Sequence, residues 1–155
     1  MPNPSNYSTA TLSDFIGHDF GSSAEVVVDQ GKINEFASAT GDHQWIHIDA
    51  EKCKKHSPFG TTIAHGFLTL SLLAADVGAI GIVPSDAKAV LNYGVDKARF
   101  LAPVPSGATV SASYKLAGVE AKGPGNHLIR IEATLNIKGQ EKPAVIAELL
   151  AMIIA

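Results

Sequence analysis

The spacing of apolar positions changes from a helical period to a period of two about halfway along this chain. Residues 23–29, SAEVVVD, are a short β-branched run and predict a strand. Ile33, Phe36, Ala37 and Thr40 then recur at helical spacing, with Asp29 placed to cap the helix and Gly41 to end it. Residues 42–49 keep neither period and predict irregular chain. Asp49 is placed to cap a short helix over 50–55, and SPFG at 57–60 is turn chemistry. Residues 63–83 are apolar nearly all round and predict a buried helix that starts near His65 and Gly66 and stops before Pro84. From there the period is two. Residues 87–100 predict a strand broken near Gly94, and 109–119 place Val110, Ala112, Tyr114 and Leu116 on one face. Residues 127–138 set Ile129, Ile131, Ala133, Leu135 and Ile137 against Arg130, Glu132, Thr134, Asn136 and Lys138. Residues 143–154 are apolar on both faces, which predicts a central or interface strand.

Helices first and antiparallel strands after predict an α+β domain, with a sheet curled around the apolar helix. Residues 1–13 carry no pattern and predict a loose arm ahead of a single domain over 14–155. The 63–83 stretch is long enough to raise the question of a membrane span, but His65, Thr69, Ser71 and Asp76 interrupt it, so no membrane is expected. A formal charge of −3 without a run of Lys or Arg argues against a nucleic-acid surface. Cys53 is the single cysteine, so no internal disulfide forms. The N-terminus has neither a basic n-region nor an apolar h-region, so no signal peptide is expected; together these predict a cytoplasmic protein.

Titratable residues gather within 36–76, among Trp45, Ile46, Phe59 and Ile63. A polar cluster in apolar sequence is costly unless something satisfies or uses it. Asp42 and His47, five residues apart in irregular chain, can reach one water or substrate atom, and an imidazole exchanges protons near neutral pH. The same two residues can equally be a turn carboxylate and a hydrogen-bonded core histidine. His43, His47 and Asp49 have a spacing that suits a metal only on one helical turn, which Gly41, Trp45 and Ile46 make doubtful; no metal is expected. His65 and Gly66 fall at a helix start, where free N–H groups can face a developing oxyanion. Close helix–sheet packing explains that glycine equally well.

The stretch A-x-x-T-G-D-x-x-x-x-H-x-D, Ala37 to Asp49, followed by F-G-x-x-I-A-H-G, Phe59 to Gly66, resembles the signature of the MaoC-like dehydratases, hot-dog-fold (R)-specific enoyl-CoA hydratases. Gln44-Trp45-Ile46-His47, the run from Ala64 to Leu72, and Asn92-Tyr93-Gly94 with Arg99-Phe100 are most similar to the branch typified by nodulation protein N. The resemblance implies a long helix wrapped by a curved antiparallel sheet, in dimers whose sheets join edge to edge. It implies reversible syn addition of water to a trans-2-enoyl thioester, giving an (R)-3-hydroxyacyl thioester. Asp42 and His47 would activate the water, and the Gly66 N–H would hold the thioester oxygen. Trp45, Phe59, Ile63, His65, Ser71, Asn92 and Arg99 are the expected substrate-binding residues. No cofactor is implied, because coenzyme A or an acyl carrier protein arrives as part of the thioester. One departure is plain: where family members carry a serine eight residues after the motif glycine, this chain has Ala74, with Ser71 one turn earlier. The rival expectations are a hot-dog acyl-CoA thioesterase and a non-catalytic acyl-thioester binding module.

Overall fold

The computed structural model describes residues 2–155; Met1 lies outside them. In chain order the elements are β1 (Asp19–Ser22), β2 (Val26–Val28), α1 (Gln30–Thr40), α2 (Trp45–Ile48), α3 (Ala50–His56), α4 (Gly66–Asp76), β3 (Ala89–Phe100), β4 (Ala108–Ala121), β5 (His127–Ile137) and β6 (Val145–Ile154). The strands form one antiparallel sheet in the order β1-β4-β5-β6-β3, with β2 also paired to β4.

Period-two alternation puts one face of this sheet in the core. β4 buries Val110, Ala112, Tyr114 and Leu116; β5 buries Ile129, Ile131, Ala133, Leu135 and Ile137; β6 buries Val145, Ala147, Leu149, Ala151 and Ile153. Helix α4 packs on that face, with Leu68 and Leu73 in the same cluster. The Tyr114 hydroxyl ties helix to sheet, lying 3.1 Å from both the Leu73 carbonyl and an Asp76 carboxylate oxygen. Burial and the Asp76 charge both push its pKa up, so the phenol stays a donor. This is the α+β hot-dog arrangement that the motifs imply. Among the described residues no helix is long and apolar enough to cross a membrane.

Three details differ from the sequence expectation. First, α4 stops at Asp76, well short of Pro84. Gly78 and Gly81 weaken the helix, Gly81 takes a φ of +82°, and the chain turns while still burying Val77, Ile80 and Ile82. Second, the 42–49 segment is not wholly irregular, because Trp45–Ile48 closes one helical turn. The last strand is central, between β5 and β3, which is one of the two placements that its sequence predicts. One edge of the sheet is β1 with β2, and the other is β3, with Leu91, Tyr93 and Val95 exposed along it. Its pairing slips between Asn92 and Gly94, which matches the expected break, and again between Asp96 and Arg99.

Third, the N-terminal residues are not a loose arm. Tyr7 and Leu12 are buried, and the Tyr7 hydroxyl donates to the Ile82 carbonyl at 2.6 Å. Asn3 donates to the carbonyls of Gly81 and Val83 at 2.8 Å each. The Thr9 N–H and hydroxyl donate to the Asp86 carboxylate. Those bonds hold the Asp86 carboxyl below the usual carboxylate range. A carboxyl depressed in the folded state stabilises the fold above its unfolded pKa and loses that contribution as pH falls through the folded one. The clasp should therefore loosen below about pH 4. Protection of the Thr9 amide, measured against its intrinsic exchange rate at each pH, should fall there, and Asp86→Asn should lower it already at neutral pH. Equal protection in both proteins at both pH values would remove the clasp.

Candidate active site

Three caps and stops and one returning segment bring the site together. Asp29 caps α1 by accepting from the Lys32 N–H at 2.8 Å. Gly41 ends it at φ +80°, with its N–H on the Ala37 carbonyl at 2.8 Å. Asp42 therefore leaves the helix immediately after a left-handed turn. Asp49 caps α3 by accepting from the Lys52 N–H at 2.9 Å. The chain then returns through 61–65, where Ile63 donates to the Ile46 carbonyl at 3.0 Å and Ala64 to the Val104 carbonyl at 2.8 Å. That return lays Ile63 and His65 beside His47, and α4 starts at the next residue.

His47 is buried, with Nδ1 2.7 Å from the Ile63 carbonyl oxygen. A carbonyl only accepts, so Nδ1 carries the proton and Nε2 keeps a free lone pair in the neutral ring. His65 is buried too, and its Nε2 donates to the backbone carbonyl of Asp42 at 2.9 Å. The two imidazoles stack with centroids 3.8 Å apart and planes tilted by 25°. Phe36 lies against His65 with its centroid 5.0 Å away. The Asp42 side chain is exposed and accepts from the Gln44 N–H at 3.3 Å. One ligand-type atom each from Asp42, His47 and His65 falls within 4.8 Å of the other two.

That trio replaces the His43-His47-Asp49 spacing seen in the sequence. His43 turns to the Gly41 carbonyl, and Asp49 is occupied as a cap. Near-parallel stacking makes the trio a poor metal cage, because lone pairs lying in two stacked planes do not converge on one ion. A single water suits the spacing better. Two hydrogen bonds of about 2.8 Å at a tetrahedral angle span about 4.6 Å.

Three cavities meet around the start of α4. Asp42, His47, His65, Gly66, Phe67 and Ser71 wall one of about 470 Å³. His47 and Gly66 also wall a second, of about 220 Å³, with Ile63 and the 100–104 segment. Phe67 and Ser71 also wall a third, of about 310 Å³, with Ala74, Val77, Asn92 and Leu149. Among the described residues, no Lys or Arg lines any of the three. Positive potential there comes from the α4 N-terminus, whose first N–H groups have no intrahelical acceptor.

Of the residues expected from sequence, the structure brings Asp42, His47, Ile63, His65, Gly66 and Ser71 together. The Ser71 hydroxyl is bonded to the Phe67 carbonyl of its own helix at 2.7 Å. Asn92 lies in the adjoining cavity beside Ala74. Trp45, Phe59 and Arg99 line none of the three cavities. Trp45 packs under the Lys52 ammonium, 4.9 Å from the ring centroid, Phe59 sits exposed after α3, and Arg99 folds back on the Ala98 carbonyl. Cys53 braces α2 from behind, with Sγ near the Trp45 and Ile46 carbonyls, and burial pushes its thiol pKa up. Sequence reasoning missed Phe67, Phe100 and the 101–104 segment. The available signal was the pair Pro103 and Pro105, which holds an extended segment against Ile63.

Residues 12–137 match the MaoC like domain family. The chain is 44% identical over 148 residues to 3-hydroxyacyl-thioester dehydratase Z of Mycobacterium tuberculosis, covering 96% of this chain and 97% of that protein. It is 40% identical over 147 residues to nodulation protein N of Rhizobium leguminosarum bv. viciae, covering 94% and 91%. Its fold superposes on unliganded R-hydratase PhaJ1 from Pseudomonas aeruginosa with a TM-score of 0.76 at 21% identity, covering 95% and 85%.

Proposed function

The chain belongs to the MaoC-like dehydratase family and is a hydro-lyase, and from that premise we propose that it interconverts trans-2-enoyl and (R)-3-hydroxyacyl thioesters by syn addition and loss of water. The observation that carries this reading is the pair Asp42 and His47, which bring ligand-type atoms within 4.8 Å of each other beside the N-terminus of α4. In hydration the water oxygen bonds to C3 while His47 Nε2 takes one of its protons. The electron pair of the C2–C3 double bond moves onto the thioester, whose oxygen sits at the Gly66 N–H. A proton then returns to C2 from the face that delivered the oxygen, so addition is syn. Asp42 holds the water and shares the proton traffic. The cavity lined by Ala74, Val77 and Leu149 takes the acyl chain, and the one beside Ile63 takes the pantetheine side. No metal or redox cofactor enters this scheme. Coenzyme A is the proposed carrier. A buried, unpaired Cys53 fits a reducing cytoplasm.

The test is incubation with crotonyl-CoA, following enoyl absorbance and free thiol together, with chiral analysis of the product. Loss of absorbance without thiol, giving the (R)-alcohol, is expected. Thiol release without hydration would make the protein a thioesterase. Binding without turnover would make it a carrier module.

We also propose a homodimer formed through the β3 edge. Leu91 and Tyr93 are more than half exposed there, and Phe67, which walls the site, is 68% exposed. A bare apolar edge is an association hazard in a monomer. Light scattering at micromolar concentration should give twice the chain mass, and Leu91→Lys should give a folded monomer with little activity. An active wild-type monomer would refute the proposal.

A further inference from the structure

Gln30 sits at the first turn of α1, outside the three cavities, yet all of its amide is used. Its Nε2 donates to the His47 backbone carbonyl at 2.7 Å and to Asn34 Oδ1 at 2.9 Å. Its Oε1 accepts from the hydroxyl of Thr62, a residue 1% exposed. The amide has only one workable orientation, because the His47 carbonyl can only accept and so must face the NH₂.

The His47 carbonyl and Thr62 belong to the two chain segments that set the His47 ring. One carries His47 itself. The other carries Ile63, next to Thr62, whose carbonyl holds the Nδ1 proton. The distance between them decides whether Nε2 is the free nitrogen and where it points. A side chain that grips both fixes that distance. We propose that Gln30 is a positioning residue for His47, acting with Thr62 to hold the Nδ1–H tautomer and aim Nε2 at the site. The kinetic arm of its test rests on the hydratase reading; the spectroscopic arm does not.

Gln30→Glu is nearly isosteric, and an acidic group in a first helical turn favours the helix, so α1 should remain formed. It places an oxygen against the His47 carbonyl and adds a negative charge behind a ring already flanked by Asp42 and His65. Thr62→Val removes the other bond at constant shape, and Thr62→Ser restores it. Gln30→Glu and Thr62→Val should each lower kcat about 10–100-fold with KM nearly unchanged, the scale for outer partners that orient a reactive histidine. Thr62→Ser should stay near wild type. Gln30→Glu should also move the acidic limb of the kcat/KM profile upward, because the added charge favours imidazolium. Long-range ¹H–¹⁵N spectra should show the Nδ1–H tautomer of His47 in the wild type and a mixture in both defective variants. An unchanged tautomer in folded Gln30→Glu and Thr62→Val would reduce Gln30 to a helix-start residue and overturn the proposal. A wild type that hydrates no enoyl thioester would overturn the hydratase reading instead, while the spectra would still decide the role of Gln30.

Discussion

His47→Gln should lower kcat for enoyl-thioester hydration by about 10²–10⁴ and leave KM close to its wild-type value. The ring is buried and its Nδ1 is committed to the Ile63 carbonyl, so Nε2 is the one nitrogen free for proton transfer. Glutamine can reach the same carbonyl but takes no proton at neutral pH. Asp42→Asn should have a loss of the same order, because an amide holds a water but cannot share its proton. The double variant should be barely worse than the worse single variant, since two groups that act on one water fail together. Steady-state kinetics on crotonyl-CoA with all three proteins decides this. Near-wild-type turnover by either single variant removes that residue from the mechanism. Multiplying losses in the double variant would mean that the two residues act on different steps.

That arrangement explains why polar groups are tolerated deep beside α4. His65 is 2% exposed and spends Nε2 on the Asp42 backbone, which fixes the start of the acidic side chain without using its carboxylate. Its other nitrogen has no partner among the described residues. An unsatisfied buried nitrogen costs roughly 1–3 kcal/mol. Stacking on His47 and contact with Phe36 offset part of that, and the ring keeps Asp42 and His47 in register.

Much of this was legible in the sequence, and the reason is local. Asp29, Gly41 and Asp49 act within three or four residues of their own position, so caps and stops can be read directly. The alternation of 109–119 and 127–138 needs only one buried face, and the buried set matches the expected one residue for residue. What could not be read depends on distant partners. Tyr7 looks like any tyrosine in an unpatterned arm until the Ile82 carbonyl, 75 residues away, is placed beside it. Trp45 and Phe59 lie within the motif, yet the turn of α2 and the loop after α3 carry them away from the cavities. Phe100 lies far from the motif in sequence and ends up against Gly66. The apolar 143–154 run announced a strand with two apolar faces but not which strand would be left at the edge.

Gly66→Val should abolish most hydration, by about 10²–10³, while the protein stays folded. The backbone at Gly66 does not need a glycine, since its φ is not in the left-handed region. In a helix, glycine is about 1 kcal/mol worse than alanine, so this one is kept at a cost in stability. What it supplies is space. A Cβ built there falls 3.1 Å from Cδ1 and Cε1 of the Phe100 ring, in the wall shared by the two cavities that flank His47. Alanine should push the exposed Phe100 ring aside by a few tenths of an ångström and lose less activity than valine. Its melting temperature should hold or rise. Two causes of lost activity then need separating, a displaced Phe100 and a thioester oxygen kept from the N–H. Gly66→Ala combined with Phe100→Leu removes the first. If the loss persists in that double variant, the added methyl group stands where the thioester must lie. Full rescue would make Gly66 a packing residue beneath Phe100. Full activity in folded Gly66→Val would place the oxyanion elsewhere altogether.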